Sequence, residues 1–305
     1  MPTPNIYSEQ WLHGRRMVFR DTGGSGPTVL LVHGITNSSR SWEPVTERLA
    51  ASHRVLAPDL PGHGDSDRHQ GDHSLGAHAS ALRDLLLTTD AGRATLVGHS
   101  FGGGIVLQMA YQFPELVERI VLVSSGGLGR DVGLALRAAT LPGAEQVIGL
   151  GASAPVARAG AFAGSLLSRF GVHPGPDISE VLSGVASLGD RQRRESFVRT
   201  IRTVVSPRGQ RVTAIDRLYL AEGIPSLIVW GDRDPIIPAD HGRAAAATMP
   251  DSRFELFEGA GHFPQLNDPE RFSAMLAEFI ATTEPATLDL DALRGRILAR
   301  GPKRS

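Results

Sequence analysis

The chain has 305 residues, 41% hydrophobic and 21% charged, an ordinary balance for a protein that buries a large core. A formal net charge of −1 gives no electrostatic reason to bind nucleic acid or an anionic membrane. With no cysteine, a disulfide scaffold, a thiolate nucleophile and a cysteine-held metal are all excluded.

The N-terminus, "MPTPNIYSEQWLHGRRMVF", lacks a basic patch followed by an apolar stretch, and nowhere does the chain reach 18 consecutive apolar residues. The expectation is a soluble, cytoplasmic protein without a membrane anchor. Residues 9–23 alternate around a glycine and predict an antiparallel edge hairpin. Short apolar runs follow: "TVLLVHG" (28–34), "HRVLAPD" (53–59), "ATLVGHS" (94–100), "RIVLVSS" (119–125), "PSLIVWGD" (225–232) and "RFELFEG" (253–259). Each is nearly continuous in apolar character and ends in a turn signal, the pattern of strands buried on both faces. Stretches of helical period separate most of them: "SWEPVTERLAAS" (41–52), "LGAHASALRDLLLTT" (75–89) and "GIVLQMAYQF" (104–113). Such alternation predicts a parallel sheet between two helical layers. Between about 127 and 222 it breaks. No strand pattern is evident there, and a helical insertion is expected, with the arginine-rich stretch 191–202 as a solvated helix face. The tail after 285 has an amphipathic start and a basic end, consistent with one docked helix.

One stretch demands a chemical explanation. "LVGHSFGGG" (96–104) places a single hydroxyl among four glycines, at the junction of a predicted strand and a predicted helix. A sharp strand-to-helix turn needs small residues two before and two after its apex, and Gly98 and Gly102 supply them. The turn exposes the Ser100 hydroxyl and points the Phe101 N–H, at the new helix's start, toward whatever Ser100 attacks. A serine needs a base, and the base a carboxylate, at the ends of later strands. Asp232 and Asp234 follow one run and His262 follows the next, giving the order Ser, Asp, His.

These residues, with "LVHG" (31–34), "APDLPGHGDSD" (57–67), "VWGDRDPIIP" (229–238) and "GAGHFPQLNDPERF" (259–272), resemble the α/β-hydrolase fold superfamily from about residue 10 to 280. The resemblance implies an α/β fold: a mostly parallel twisted sheet flanked by helices, with an inserted helical cap. The core would span 1–126 and 223–285, the cap 127–222 and the tail 286–305. It implies Ser100 as nucleophile, His262 as base and, through the pattern G-x-x-D, Asp234 rather than Asp232 as the acid. An aspartate before proline is ordinarily a turn residue, so the assignment rests on its company. The second oxyanion donor would be the backbone N–H of Ile35, beside that of Phe101. Asn37, Ser38 and Ser39 suit the cap of the helix starting near Ser41. His33 would shape the oxyanion loop, His63 a turn, and His99 would pack beneath the nucleophile. His241 and the group His69, His73 and His78 are read as solvated rather than as a metal site, so neither metal nor cofactor is expected.

A serine nucleophile argues against the dehalogenases and epoxide hydrolases of the fold, which use aspartate. It directs attack to an acyl carbon: an ester, thioester, amide or lactone. The alternative is the carbon–carbon bond cleaved by meta-cleavage-product hydrolases, which carry tryptophan after the histidine where this chain has Phe263. A non-catalytic ligand-binding relative is the third reading. The small and apolar cap residues Ala135, Leu136, Ala161, Phe162, Leu166 and Leu167 favour a small-molecule apolar substrate. The oligomeric state stays open.

Overall fold

The computed structural model describes residues 6–68, 71–153 and 175–299. β1 (Tyr7–Leu12) and β2 (Arg15–Asp21) form the expected hairpin, closed by His13 and Gly14, both at positive φ, as a two-residue hairpin turn requires. The six apolar runs become β3 (Thr28–Val32), β4 (Arg54–Pro58), β5 (Ala94–His99), β6 (Val117–Val123), β9 (Ser226–Gly231) and β10 (Ser252–Phe257). Together they make one eight-stranded sheet in the order β1-β2-β4-β3-β5-β6-β9-β10. β1 and β2 pair antiparallel, as do β2 and β4, and every other pairing is parallel.

Both faces of the sheet are covered, which is why its central strands read as unbroken apolar runs. Val29, Leu31, Val97 and Val121 project to one side, against Trp42, α1 (Glu43–Leu49) and the helix Pro269–Thr282. Leu30, Val32, Leu96 and Ile120 project to the other, against α2 (Leu75–Thr88) and α3 (Phe101–Gln112). Replacing any of these fully buried leucines with alanine should cost about 2–5 kcal/mol. β5 lies between β3 and β6 in the middle of the sheet, so whatever follows its last residue stands at the centre of the carboxyl edge.

The chain leaves the sheet after β6 and returns at β9. The described part of this insertion contains the helices Leu134–Ala138, Ala144–Gly151, Pro176–Ser187 and Arg191–Val204. It also holds a miniature hairpin, β7 (Val205–Ser206) with β8 (Gly209–Gln210), which corrects the expectation of no strand there. Two residues per strand are too few to show a period of two, so the pattern was invisible. The helix Arg191–Val204 buries Phe197, Val198 and Ile201 and leaves the Arg191 side chain 81% exposed, as its amphipathic sequence implies. The tail forms the helix Leu290–Ala299, with no buried residue, tied by a bond from Arg296 Nη1 to the Glu222 carbonyl.

Candidate active site

β5 ends at His99 and α3 begins at Phe101, so Ser100 alone makes the turn between them. Its backbone sits at φ 53° and ψ −115°, a conformation that costs an L-residue about 1–3 kcal/mol. Three hydrogen bonds hold it there. Its N–H donates to the Val123 carbonyl at 2.9 Å, and its carbonyl accepts from Gly103 at 3.0 Å and Gly126 at 2.9 Å. The flanking glycines are sterically obligatory. A Cβ on Gly98 would stand 2.3 Å from the Gly102 carbonyl oxygen, and one on Gly102 would stand 2.3 Å from that of Val32.

Asp234 lies just beyond β9 with its side chain fully buried. Its Oδ1 accepts from the Ile236 and Ile237 N–H groups at 2.8 and 2.9 Å. Its Oδ2 accepts from His262 Nδ1 at 2.8 Å. Burial alone would push this carboxyl up, but His262 and the two backbone donors outweigh it and hold the carboxyl below its usual range. Asp232 has a different job: it is exposed, and its Oδ1 accepts from the Gly259 N–H at 2.7 Å, closing a turn.

His262 is buried in the loop after β10. With Nδ1 donating to Asp234, its Nε2 is left as the proton acceptor of the ring. His99 Nε2 donates to the His262 carbonyl at 2.8 Å, and the two rings stand 4.9 Å apart, centroid to centroid. The residue just before Ser100 therefore braces the histidine from below. Burial, then the neighbouring His262, lowers the His99 pKa to about 3. Its Nδ1 has no partner among the described residues, in keeping with a neutral ring.

The Ile35 and Phe101 N–H groups donate to no other group among the described residues. Both residues line, with Ser100, a small cavity of about 50 Å³. His33 shapes the loop before Ile35 as anticipated: Nδ1 donates to the Gly34 carbonyl at 2.7 Å, and Nε2 accepts from the Leu60 N–H at 3.0 Å. The insertion supplies much of the cavity wall, including Val132, Leu136, Ile201, Val204 and Val212. Of the apolar residues singled out from sequence, only Leu136 is in that wall. Ala135 is exposed, and Ala161, Phe162, Leu166 and Leu167 lie outside the described residues. Val132 and Val212 escaped notice because they lie in connecting segments, outside any helix or strand whose period could mark an inner face.

Two further readings are corrected. His73 and His78 are buried, not solvated: their rings pack 6.3 Å apart, with His63 and Phe101 close to His78. His69 lies outside the described residues, and no metal-holding cluster of His, Asp or Glu occurs among those described. Of the three residues read as a helix cap, Ser38 alone caps, accepting from Arg40 N–H. Ser39 N–H instead binds Asp59 Oδ1 at 2.7 Å, and Asn37 Nδ2 donates to Glu180 Oε1, in the insertion, at 2.6 Å.

Residues 29–275 match the Alpha/beta hydrolase family. The chain belongs to that family. The alpha/beta hydrolase is 45% identical over 292 residues to an uncharacterized protein of Mycobacterium tuberculosis (strain ATCC 25618 / H37Rv), covering 95% of this chain and 85% of the relative. It is 26% identical to a 2-hydroxy-6-oxo-6-phenylhexa-2,4-dienoate hydrolase of Burkholderia cepacia, covering 90% of this chain and 94% of that one. An esterase from Rhodococcus sp. ECU1013 superposes with a TM-score of 0.66 at 26% identity, over 91% of this chain and 99% of the esterase. No helix among the described residues is long and apolar enough to cross a membrane.

Proposed function

We propose that this alpha/beta hydrolase cleaves carboxylic esters of apolar acids, through an acyl-enzyme on Ser100. The observation that supports the reading most is the cavity at Ser100, whose described lining contains no charged side chain. Its polar side chains are Ser100 and Gln210, and the Gln210 amide is already engaged with the Gly127 N–H and the Asp131 carbonyl. An apolar acyl group is favoured there, whereas an isolated charge would be desolvated without a partner.

In this reading Ser100 Oγ attacks the ester carbon while His262 Nε2 takes its proton. Asp234 holds the imidazole in the right tautomer and stabilises the imidazolium. The oxyanion receives hydrogen bonds from the Ile35 and Phe101 N–H groups. As the tetrahedral adduct collapses, His262 returns the proton to the leaving alcohol. Water, deprotonated by the same histidine, then hydrolyses the acyl-serine and regenerates the hydroxyl. The insertion acts as the lid that bounds the acyl site.

Carbon–carbon cleavage is the second reading, favoured by the likeness to the dienoate hydrolase. A dienoate carries a carboxylate, and the described cavity wall offers it no cation. The test is a panel of p-nitrophenyl esters from C2 to C16, run beside a 2-hydroxy-6-oxo-dienoate, with fluorophosphonate labelling of Ser100. Ester turnover with labelling is the expected result. Dienoate cleavage without ester turnover would reverse the order of the two readings, and no labelling at all would favour a non-catalytic binder.

A further inference from the structure

The helix Pro176–Ser187 in the insertion lies inside out. Ile178, Val181, Leu182 and Val185 form one helical stripe, yet they are 41–58% exposed. The edge turned toward the catalytic loops carries Asp177, Glu180 and Gly184 instead. Apolar burial does not explain that orientation, but hydrogen bonds do.

Asp177 Oδ1 accepts from the Phe263 N–H at 2.9 Å, and its Oδ2 accepts from Asn267 Nδ2 at 2.6 Å. Asn267 Oδ1 in turn accepts from the Gly261 N–H at 3.2 Å. The backbone N–H groups on either side of His262 are thus both held by a relay that starts in the insertion. Gly261 leaves room for it: a Cβ there would stand 2.6 Å from Asp177 Oδ1. One turn along, Glu180 Oε1 accepts from Asn37 Nδ2 at 2.6 Å, two residues past Ile35. A second turn along, Gly184 packs on Thr36, where a Cβ would stand 2.6 Å from Oγ1. A carboxylate in a helix's first turn is favourable on its own account, but the Asp177 oxygens reach the histidine loop rather than the N–H groups of their own helix.

We propose that Asp177 is a positioning residue for His262 and Glu180 a positioning residue for the oxyanion loop, so that one helix of the insertion aims both halves of the site. The proposal rests on the ester-hydrolase reading above. Neither carboxylate is in the cavity wall, so their loss acts on turnover and not on substrate binding. Asp177→Ala frees the Phe263 N–H and the Asn267 amide, and the loop carrying His262 relaxes. A shift of about 1 Å in a catalytic group costs about a hundredfold in rate.

The experiment measures kcat and KM on p-nitrophenyl butyrate and amide hydrogen exchange of the full chain, on wild type, Asp177→Ala, Asp177→Asn, Glu180→Ala and Glu180→Gln. Asp177→Ala should lower kcat about tenfold to a hundredfold with KM changed less than about threefold. Exchange across 259–267 should rise about tenfold to a hundredfold while β3, β5 and β6 stay protected. Asp177→Asn, which keeps one acceptor and the volume, should fall between, and it serves if the alanine variant does not fold. Glu180→Gln keeps an acceptor for Asn37 and should recover most of the kcat lost in Glu180→Ala. A folded Asp177 variant of an active wild type with unchanged kcat overturns the proposal alone, whatever its exchange does; so does a loss that falls wholly on KM. A wild type that neither turns over esters nor labels at Ser100 overturns the hydrolase reading and this proposal with it.

Discussion

Asp234→Asn is the sharpest test of the site, because the structure dictates how the amide must sit. Oδ1 of Asp234 accepts from two backbone N–H groups, at 2.8 and 2.9 Å. The amide oxygen of asparagine can replace it there, but its NH₂ cannot. The NH₂ therefore turns toward His262 Nδ1, where Oδ2 stood 2.8 Å away. Two donors cannot share one hydrogen bond, so His262 moves its proton to Nε2, the atom that should take the proton from Ser100. The fold is kept and the base is disabled. The corresponding wrong-tautomer change in a serine protease costs about 10⁴ in kcat, and a loss of that order is expected here. Asp232→Asn is the control. The Asp232 carboxylate only accepts from the Gly259 N–H, which an amide oxygen can also do, so kcat should stay within about threefold. The assay is kcat on p-nitrophenyl butyrate, with circular dichroism and thermal melts to confirm folding. Equal losses at the two positions, or an Asp234→Asn enzyme keeping a tenth of wild-type kcat, would refute the assignment.

Gly98→Ala should destabilise by about 1–3 kcal/mol or more and abolish activity, because its Cβ would meet the Gly102 backbone at 2.3 Å; a wild-type melting point would contradict this. Leu136→Trp, in the wall of the cavity at Ser100, should shift the preferred ester toward shorter acyl chains with little change in melting point, and an unaltered chain-length profile would show that the insertion does not bound the acyl site. Acid should destabilise the fold through its buried neutral histidines. Burial, then the charge of His33, takes the His63 pKa to about 3, and burial, then His262, takes that of His99 to about 3. Both lie below the unfolded value near 6.5, so the unfolded chain takes up protons first. Stability is full above about pH 7 and falls as pH drops from 6.5 toward 3, by about 2 kcal/mol per histidine at pH 5. Urea denaturation at pH 7.5 and pH 5 measures this, and a flat profile would contradict it.

The sheet was legible because its runs are local and periodic. "TVLLV" and "ATLVGH" read as doubly buried strands from composition alone, and Gly98 and Gly102 mark the elbow because no other side chain fits that turn. Order and places after strands suggested Ser100, His262 and either Asp232 or Asp234 for the proposed roles, and only the family resemblance selected Asp234. His73 and His78 read as solvated because a histidine carries no sequence mark of burial; only the packing of α2 against the sheet and the insertion places them inside.

What the sequence determined by itself was thus the sheet and the elbow, each encoded by residues a few positions apart, while the candidate chemistry came from the order of Ser100, Asp234 and His262 read together with the family resemblance. The tertiary structure decided the wall of the cavity and the grip of the insertion on the loops that carry His262 and Ile35. Val132, Ile201 and Val212 meet only when the insertion folds over Ser100. Asp177 finds Phe263 and Asn267 across 86 and 90 residues of chain, and Glu180 finds Asn37 across 143. A hydrogen bond over such a separation leaves no period and no motif, because a carboxylate on a helix looks the same whether it faces water or a partner loop.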